Sequence, residues 1–225
     1  MRKLLFLCTR VLAGLCCSTA LALSAFGQGH SPFVEIEQIG RRNTATIEQT
    51  GQSNAAIVQQ RGRDNVASVE QSGSGNTARI SIIGRNNGAN SPEGVSISQT
   101  GNSNQAEVFA AGVGNEATIT QQGVGGSSGV ANNALIGQIG VANSASISQE
   151  GDSNDAALVQ SGIGNTGAIN QTNENNSALL VQEGVGLSYN IEQSGGESIA
   201  VWQRGGIFGP SGVAIKQSGT SAGGS

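Results

Sequence analysis

The residues of this sequence that recur with chemical capacity are carboxamides, and their placement is too regular for a catalytic cluster. Glutamine stands at Gln38, Gln49, Gln60, Gln71, Gln99, Gln121, Gln138, Gln149, Gln160, Gln171, Gln182, Gln193, Gln203 and Gln217. Asparagine follows five residues later at Asn43, Asn54, Asn65, Asn76, Asn87, Asn104, Asn115, Asn143, Asn154, Asn165 and Asn176. Between them, two residues after the register position, comes glycine, as at Gly40, Gly51, Gly62, Gly73, Gly101, Gly140, Gly151, Gly162 and Gly184. A side-chain amide carries two N–H donors and a carbonyl acceptor. Identical amides at equal intervals can therefore bond one to the next, and the chemistry to expect is stacking.

Residues suited to other chemistry are sparse. His30 is the only histidine, so no Cys/His cluster is available for zinc or copper. The carboxylates are scattered without a pair placed for acid and base work. The calcium-binding nonapeptide is absent, and Asp64, Asp152 and Asp155 do not recur in phase. The glycine-rich stretch from Gly123 to Gly129 lacks the following Gly-Lys-Ser/Thr of a phosphate loop. The expectation is no enzyme, no metal and no cofactor.

The elements that must hold the amides follow from the spacing. In Asn43-Thr44-Ala45-Thr46-Ile47-Glu48-Gln49, every second side chain leaves the same face of a strand, so Asn, Ala, Ile and Gln share one face. Gly51 then breaks the strand and Asn54 opens the next. Sixteen such half-repeats are present; Ile82 and Ala110 replace the glutamine in two, and Asn173 replaces the glycine in one. Asn173 is consistent with a turn, because asparagine tolerates the left-handed backbone. The steps from Ile80 to Ile97 and from Ile119 to Ile136 each contain six extra residues, in turn-forming segments around Pro92 and after Gly123. The step from Ile191 to Val201 is one residue short and that from Val201 to Ile215 three long, so the last copies are degenerate. Two half-repeats make a strand-turn-strand rung, and rungs stack at about 4.8 Å. The expected fold is all-β: a cross-β solenoid of about eight rungs, roughly 38 Å long. Columns of Asn and Gln would bond amide to amide up the axis, with Ile/Val and Ala filling the core. The charged residues of the regular rungs, Glu35, Glu37, Glu48, Glu70, Arg79, Glu107 and Glu116 among them, fall on the outward face, and Arg41, Arg42 and Arg63 are assigned to turns.

Residues 1–27 differ in composition. Arg2, Lys3 and Arg10 precede a small, apolar run, and Ala25 and Gly27 fit a signal-peptidase site. The run is about 16 residues, short of the roughly 20 that a membrane span needs, so a secretory signal is expected and an integral span is not. The expected organisation is a signal peptide at 1–27, a short segment at 28–33, the repeats at 34–219 and a Gly/Ser tail at 220–225. All three cysteines lie in the leader. The remaining chain carries eight basic and fifteen acidic residues, a net charge of −7. That balance argues against nucleic acid as a partner.

The unit Q-x-G-x-x-N-x-A-x-x-x-Q resembles the curlin repeat of curli fibre subunits. Copies beginning at Gln38, Gln49, Gln60, Gln71, Gln99, Gln138 and Gln149 carry the complete Gln-Gly-Asn-Ala quartet. The resemblance implies a secreted bacterial subunit that assembles outside the cell into amyloid fibres, which serve adhesion and biofilm matrix. It implies self-association, association with other curlin subunits, and partners in the export and nucleation machinery of the outer membrane. The near-constant asparagine gives an 11-residue repeat more similar to the minor, nucleating subunit than to the major one. No capping element is evident at Phe33-Val34-Glu35 or after Gly219, so both ends of the stack are expected to be uncovered. The alternative is a monomeric solenoid adhesin. An ice-binding face would need repeated outward threonines, and Ala55, Ile57, Val66 and Ser68 do not continue what Thr44 and Thr46 begin.

Overall fold

The computed structural model describes residues 7–12, 19–26, 32–92, 94–123, 131–205 and 212–219. Strand follows strand: β1 (Leu7–Leu12), β2 (Thr19–Phe26), β3 (Phe33–Arg41), β4 (Thr44–Gln52), β5 (Ala55–Arg63), β6 (Val66–Ser74), β7 (Thr77–Arg85), β8 (Val95–Asn102) and β9 (Gln105–Val113). The second half continues with β10 (Glu116–Gln122), β11 (Asn133–Val141), β12 (Ser144–Glu150), β13 (Asp155–Ile163), β14 (Thr166–Thr172), β15 (Ser177–Val185), β16 (Ser188–Ser194), β17 (Glu197–Gly205) and β18 (Gly212–Gly219). Odd strands to β17, followed by β18, form a ten-stranded sheet; even strands to β16 form an eight-stranded one. Pairing is parallel except between β17 and β18, and like residues lie opposite like, as in Gln49↔Gln71 and Ile47↔Val69. The fold is the expected β-solenoid.

The turn between the sheets is short for a backbone reason. Gly40 has φ +119°, and Arg42, two residues on, has φ +53°. The chain thus reverses in four residues, and Asn43 opens the next strand. Inside lie two facing columns of large aliphatics, among them Ile36, Val58 and Ile80 on one sheet and Ile47, Val69 and Ile97 on the other, all 1% exposed or less. Two residues before the large aliphatic most strands carry a buried alanine, as at Ala45, Ala56, Ala67 and Ala78. Gly167 replaces one where Leu158 and Leu180 stand opposite; a Cβ there would meet both leucines at 3.1 Å.

Four expectations need correction. The sixteenth half-repeat does not cross to the second sheet. β18 folds back antiparallel on β17, with Val201 opposite Ile215, so the sheets end unevenly. The longer step into this copy and the direction reversal that it allows are the local cause. Second, the N-terminal edge is not uncovered in the full chain: β1 pairs with β3 and β2 with β4, with Ala20 opposite Ala45 and Ala22 opposite Ile47. Residues 7–12 and 19–26 thus add a rung before the repeats. Third, Arg41 and Arg63 end strands instead of lying in turns, and Arg85 ends β7 in the same way. Fourth, the asparagines bond mainly to backbone groups of the turns and less to one another.

Candidate functional site

The glutamines of the even-strand sheet form an unbroken ladder. Gln49 donates to Gln71 at 2.7 Å, Gln71 to Gln99 at 2.7 Å, Gln99 to Gln121 at 2.8 Å, Gln121 to Gln149 at 2.9 Å, Gln149 to Gln171 at 2.9 Å and Gln171 to Gln193 at 2.8 Å. Each is at most 4% exposed. The second Nε2 hydrogen crosses the core to a backbone carbonyl of the opposite sheet, as from Gln49 to Phe33 and from Gln149 to Asn133. A buried amide left unbonded costs about 1–3 kcal/mol, and here both hydrogens are used. The ladder thus ties rung to rung and sheet to sheet.

On the odd-strand sheet the ladder is divided. Gln38 donates to Gln60, and Gln138, Gln160, Gln182 and Gln203 form a second run, at 2.7 to 2.9 Å. Ile82 and Ala110, both buried, fill the gap. One consequence is visible at Gln138. Its Oε1 has no hydrogen-bond partner, because Ala110 lies where a donating glutamine would be.

The asparagines do less amide-to-amide bonding than their spacing predicts. Oδ1 of Asn43 accepts the backbone N–H of Asn65 at 3.2 Å, and the same bond joins Asn54 to Asn76 and Asn154 to Asn176. Nδ2 reaches the carbonyl of a glycine one turn onward: Asn43 to Gly62, Asn54 to Gly73, Asn65 to Gly84, Asn76 to Gly101, Asn143 to Gly162 and Asn165 to Gly184. Direct amide pairs occur at some steps, such as Asn65 to Asn43 and Asn176 to Asn154. Asn104 donates Nδ2 to the carbonyl of Thr100 and takes the backbone N–H of Asn132 on its Oδ1. The asparagine is mainly a clamp on the turn, because its short side chain reaches only the nearest backbone. Glycines such as Gly62, Gly101, Gly112, Gly140, Gly151 and Gly184 supply that backbone, with φ between +109° and +150°.

Asn132 escapes a forward count from Gln121 because the insertion comes first. Counting backward from Gln138 through Ala134 finds it in the Asn-x-Ala position. It is fully buried and donates to the Gly151 carbonyl at 2.7 Å. The earlier insertion falls on the other side of its asparagine: Asn87 stays in the column and bonds with Asn65 and Asn115 before the chain departs.

The two kinds of ladder run in opposite directions. Glutamine amides donate toward the C-terminal rung, whereas the backbone N–H groups of the asparagines donate toward the N-terminal one. The first rung therefore offers a glutamine acceptor, and Gln49 Oε1 is buried with no hydrogen-bond partner. At the other end Gln193 donates both amide hydrogens within the chain, to the carbonyls of Ser177 and Glu197, and β18 covers β17.

Charge is confined to the exterior: among the described residues no Asp, Glu, Lys or Arg is buried. Arg42 holds Asp64 across one rung through Nε–Oδ1 at 2.6 Å and Nη2–Oδ2 at 2.8 Å. The hydrogen bond from Arg42 lowers the Asp64 pKa, and the same bond raises that of Arg42. The pair's contribution is thus present above the ordinary carboxylate pKa and lost as pH falls through the depressed one. It is a solvent-exposed pair, so Asp64→Asn is expected to leave the guanidinium-denaturation midpoint at pH 7 almost unchanged. Trp202 is exposed at 42%, while His30 lies outside the described residues. Among the described residues no group of three His, Cys, Asp or Glu could hold a metal. Among the same residues no helix is long and apolar enough to cross a membrane.

The model of one protein family, described as Curlin associated repeat, matches residues 29–62, 62–90, 94–123 and 140–172, together more than half of the chain. No curated protein and no solved structure matches.

Proposed function

Because the chain belongs to the curlin-associated repeat family, we propose that it is a secreted structural subunit of a curli-type amyloid fibre, growing by the stacking of one chain's rungs on the next. The observation that carries this reading is the polarity of the ladders. The unpartnered Gln49 Oε1 would accept from Gln193 of a preceding copy, once that amide leaves the Glu197 carbonyl it holds, and the column asparagines would clamp the incoming turns. Such an edge is ordinarily protected in a soluble protein. In this reading residues 1–27 direct export and are removed after Gly27, which takes β1 and β2 away and uncovers β3 and β4. Residues 34–219 are then the polymerising unit. The fibre supports adhesion and biofilm matrix, and the chain works with other curlin subunits and with the export and nucleation machinery of the outer membrane. Asparagine in nearly every half-repeat supports the nucleating type of subunit.

The test is incubation of the purified chain beginning at Gln28, followed by thioflavin fluorescence and fibre diffraction. Growth of fluorescence with reflections near about 4.8 Å and about 10 Å is expected. A soluble monomer that persists for days without those reflections would sink the proposal. N-terminal sequencing of the extracellular protein checks the start at Gln28, and addition of trace amounts to a major curlin checks nucleation through a shortened lag.

A further inference from the structure

The outward face of the odd-strand sheet carries a column that the stacking does not explain. Arg41, Arg63 and Arg85 lie opposite one another on β3, β5 and β7, so three guanidiniums follow at the rung spacing of about 4.8 Å. The same column continues as Val113, Val141, Ile163 and Val185. Arginine is therefore not what the fold needs there. Like charges placed directly opposite are destabilising, and among the described residues none of these three makes an ion pair. All three are exposed.

Beside them runs a trough of about 570 Å³ floored by Gly40, Gly62, Gly84 and Gly112. Its floor is bare backbone, since a Cβ on Gly40, Gly62 or Gly84 would meet the next glycine's carbonyl oxygen at 1.8 or 1.9 Å. Arg61, one column across the glycines, adds a fourth exposed guanidinium. Positive charge is concentrated here. From residue 28 onward, six of the eight basic residues fall between 41 and 85, while residues 86–225 carry ten acidic ones.

We infer that this glycine-floored arginine trough binds a linear acidic polysaccharide, a polyuronate with one carboxylate on each ring, lying along the solenoid axis. A guanidinium takes a carboxylate through two parallel hydrogen bonds, and the chain itself does this one column away, where Arg42 grips Asp64 across one rung. Successive rings of an extended polyuronate are turned over, so the carboxylates on one face recur every second ring, about the height of two rungs, and meet Arg41 and Arg85, with Arg63 between them. The flat ring rests on backbone that has no side chains to obstruct it. Duplex DNA fits less well: its phosphates advance about 3.4 Å per strand step and wind away from a straight row. The rest of the surface, acidic after residue 86, would also repel it. The inference does not depend on polymerisation, since the whole trough lies in one chain.

The experiment is titration of the purified full chain with polygalacturonate at low and at physiological salt, with uncharged dextran and a DNA duplex of equal charge as parallel arms. Expected is salt-sensitive binding of polygalacturonate, none of dextran, and an affinity at least tenfold lower in R41Q/R63Q/R85Q. Because valine or isoleucine holds this column on four other strands, the triple variant is expected to retain the wild-type circular dichroism. V113R, which lengthens the column by one rung, is expected to bind several-fold tighter. Polygalacturonate affinity unchanged in the triple variant or in V113R would overturn the inference. So would DNA bound as tightly as the polysaccharide and lost in the same variant.

Discussion

Gly62→Ala is expected to lower the stability of the assembled protein by about 4 kcal/mol or more, an exceptional value for the addition of one methyl group. Two effects add. Gly62 has φ +127°, a conformation in which an L side chain is strained by about 1–3 kcal/mol. Its Cβ would also lie 1.8 Å from the carbonyl oxygen of Gly84 and 2.8 Å from the carbonyl carbon. Those atoms are backbone and cannot rotate aside, and the oxygen already accepts from Asn65 Nδ2. Relief requires that the two rungs separate at that corner, with loss of neighbouring strand hydrogen bonds. Gly114→Ala is the control. Gly114 has φ +66° and nothing within 4 Å of an added Cβ, and residues such as Arg42 and Asp64 hold the equivalent place with φ +53° and +58°. Its cost is expected to be about 1–2 kcal/mol, the backbone strain alone. Guanidinium titration of the two variants measures the difference, and equal midpoints would refute the close-contact account.

Asn65→Leu is expected to cost about 3–5 kcal/mol, more than Gln121→Leu at about 2–3 kcal/mol, from the buried groups that each leaves unbonded. The Asn65 side chain makes four hydrogen bonds: it donates to Asn43 Oδ1 and Gly84 O, and it accepts from the N–H and Nδ2 of Asn87. Two of these involve backbone groups of the turn, where no other partner is in reach. Gln121 makes three: it accepts from Gln99 and donates to Gln149 and to the Gln105 carbonyl. The molecule already contains breaks of the second kind, at Ile82 and Ala110, and retains its register across both. The asparagine column passes from Asn165 to Leu187 only near the end of the even-strand sheet. The order of the two variants in guanidinium titration is the test; a glutamine variant as unstable as the asparagine one would show that the turn clamp is not the stronger tie.

Much of this architecture is readable from spacing. Gln49, Gln71 and Gln99 share a face because strand residues alternate, and they meet because the chain returns after each pair of turns. The outward charges and the turn glycines follow from the same period. Arg41, Arg63 and Arg85, 22 residues apart, were equally periodic, but a charge at a strand end reads as an ordinary turn residue until its neighbours are known. The insertion before Asn132 hid that residue by breaking a forward count. Nothing in the composition of Gly212–Gly219 distinguishes a parallel strand from an antiparallel one, since its pattern of alternation is the same in both directions.

The amino-acid sequence alone therefore determined which residues stack on which: Asn, Ala, Ile and Gln recur two apart and eleven on, and side chains that share a face and a register must meet. The tertiary structure decided where each amide's remaining hydrogen goes. For Gln49 it is the carbonyl of Phe33, across the core, and for Asn43 the carbonyl of Gly62. Those partners depend on the distance between the two sheets and on the shape of the turn, and both are set only when the aliphatic columns have packed between them.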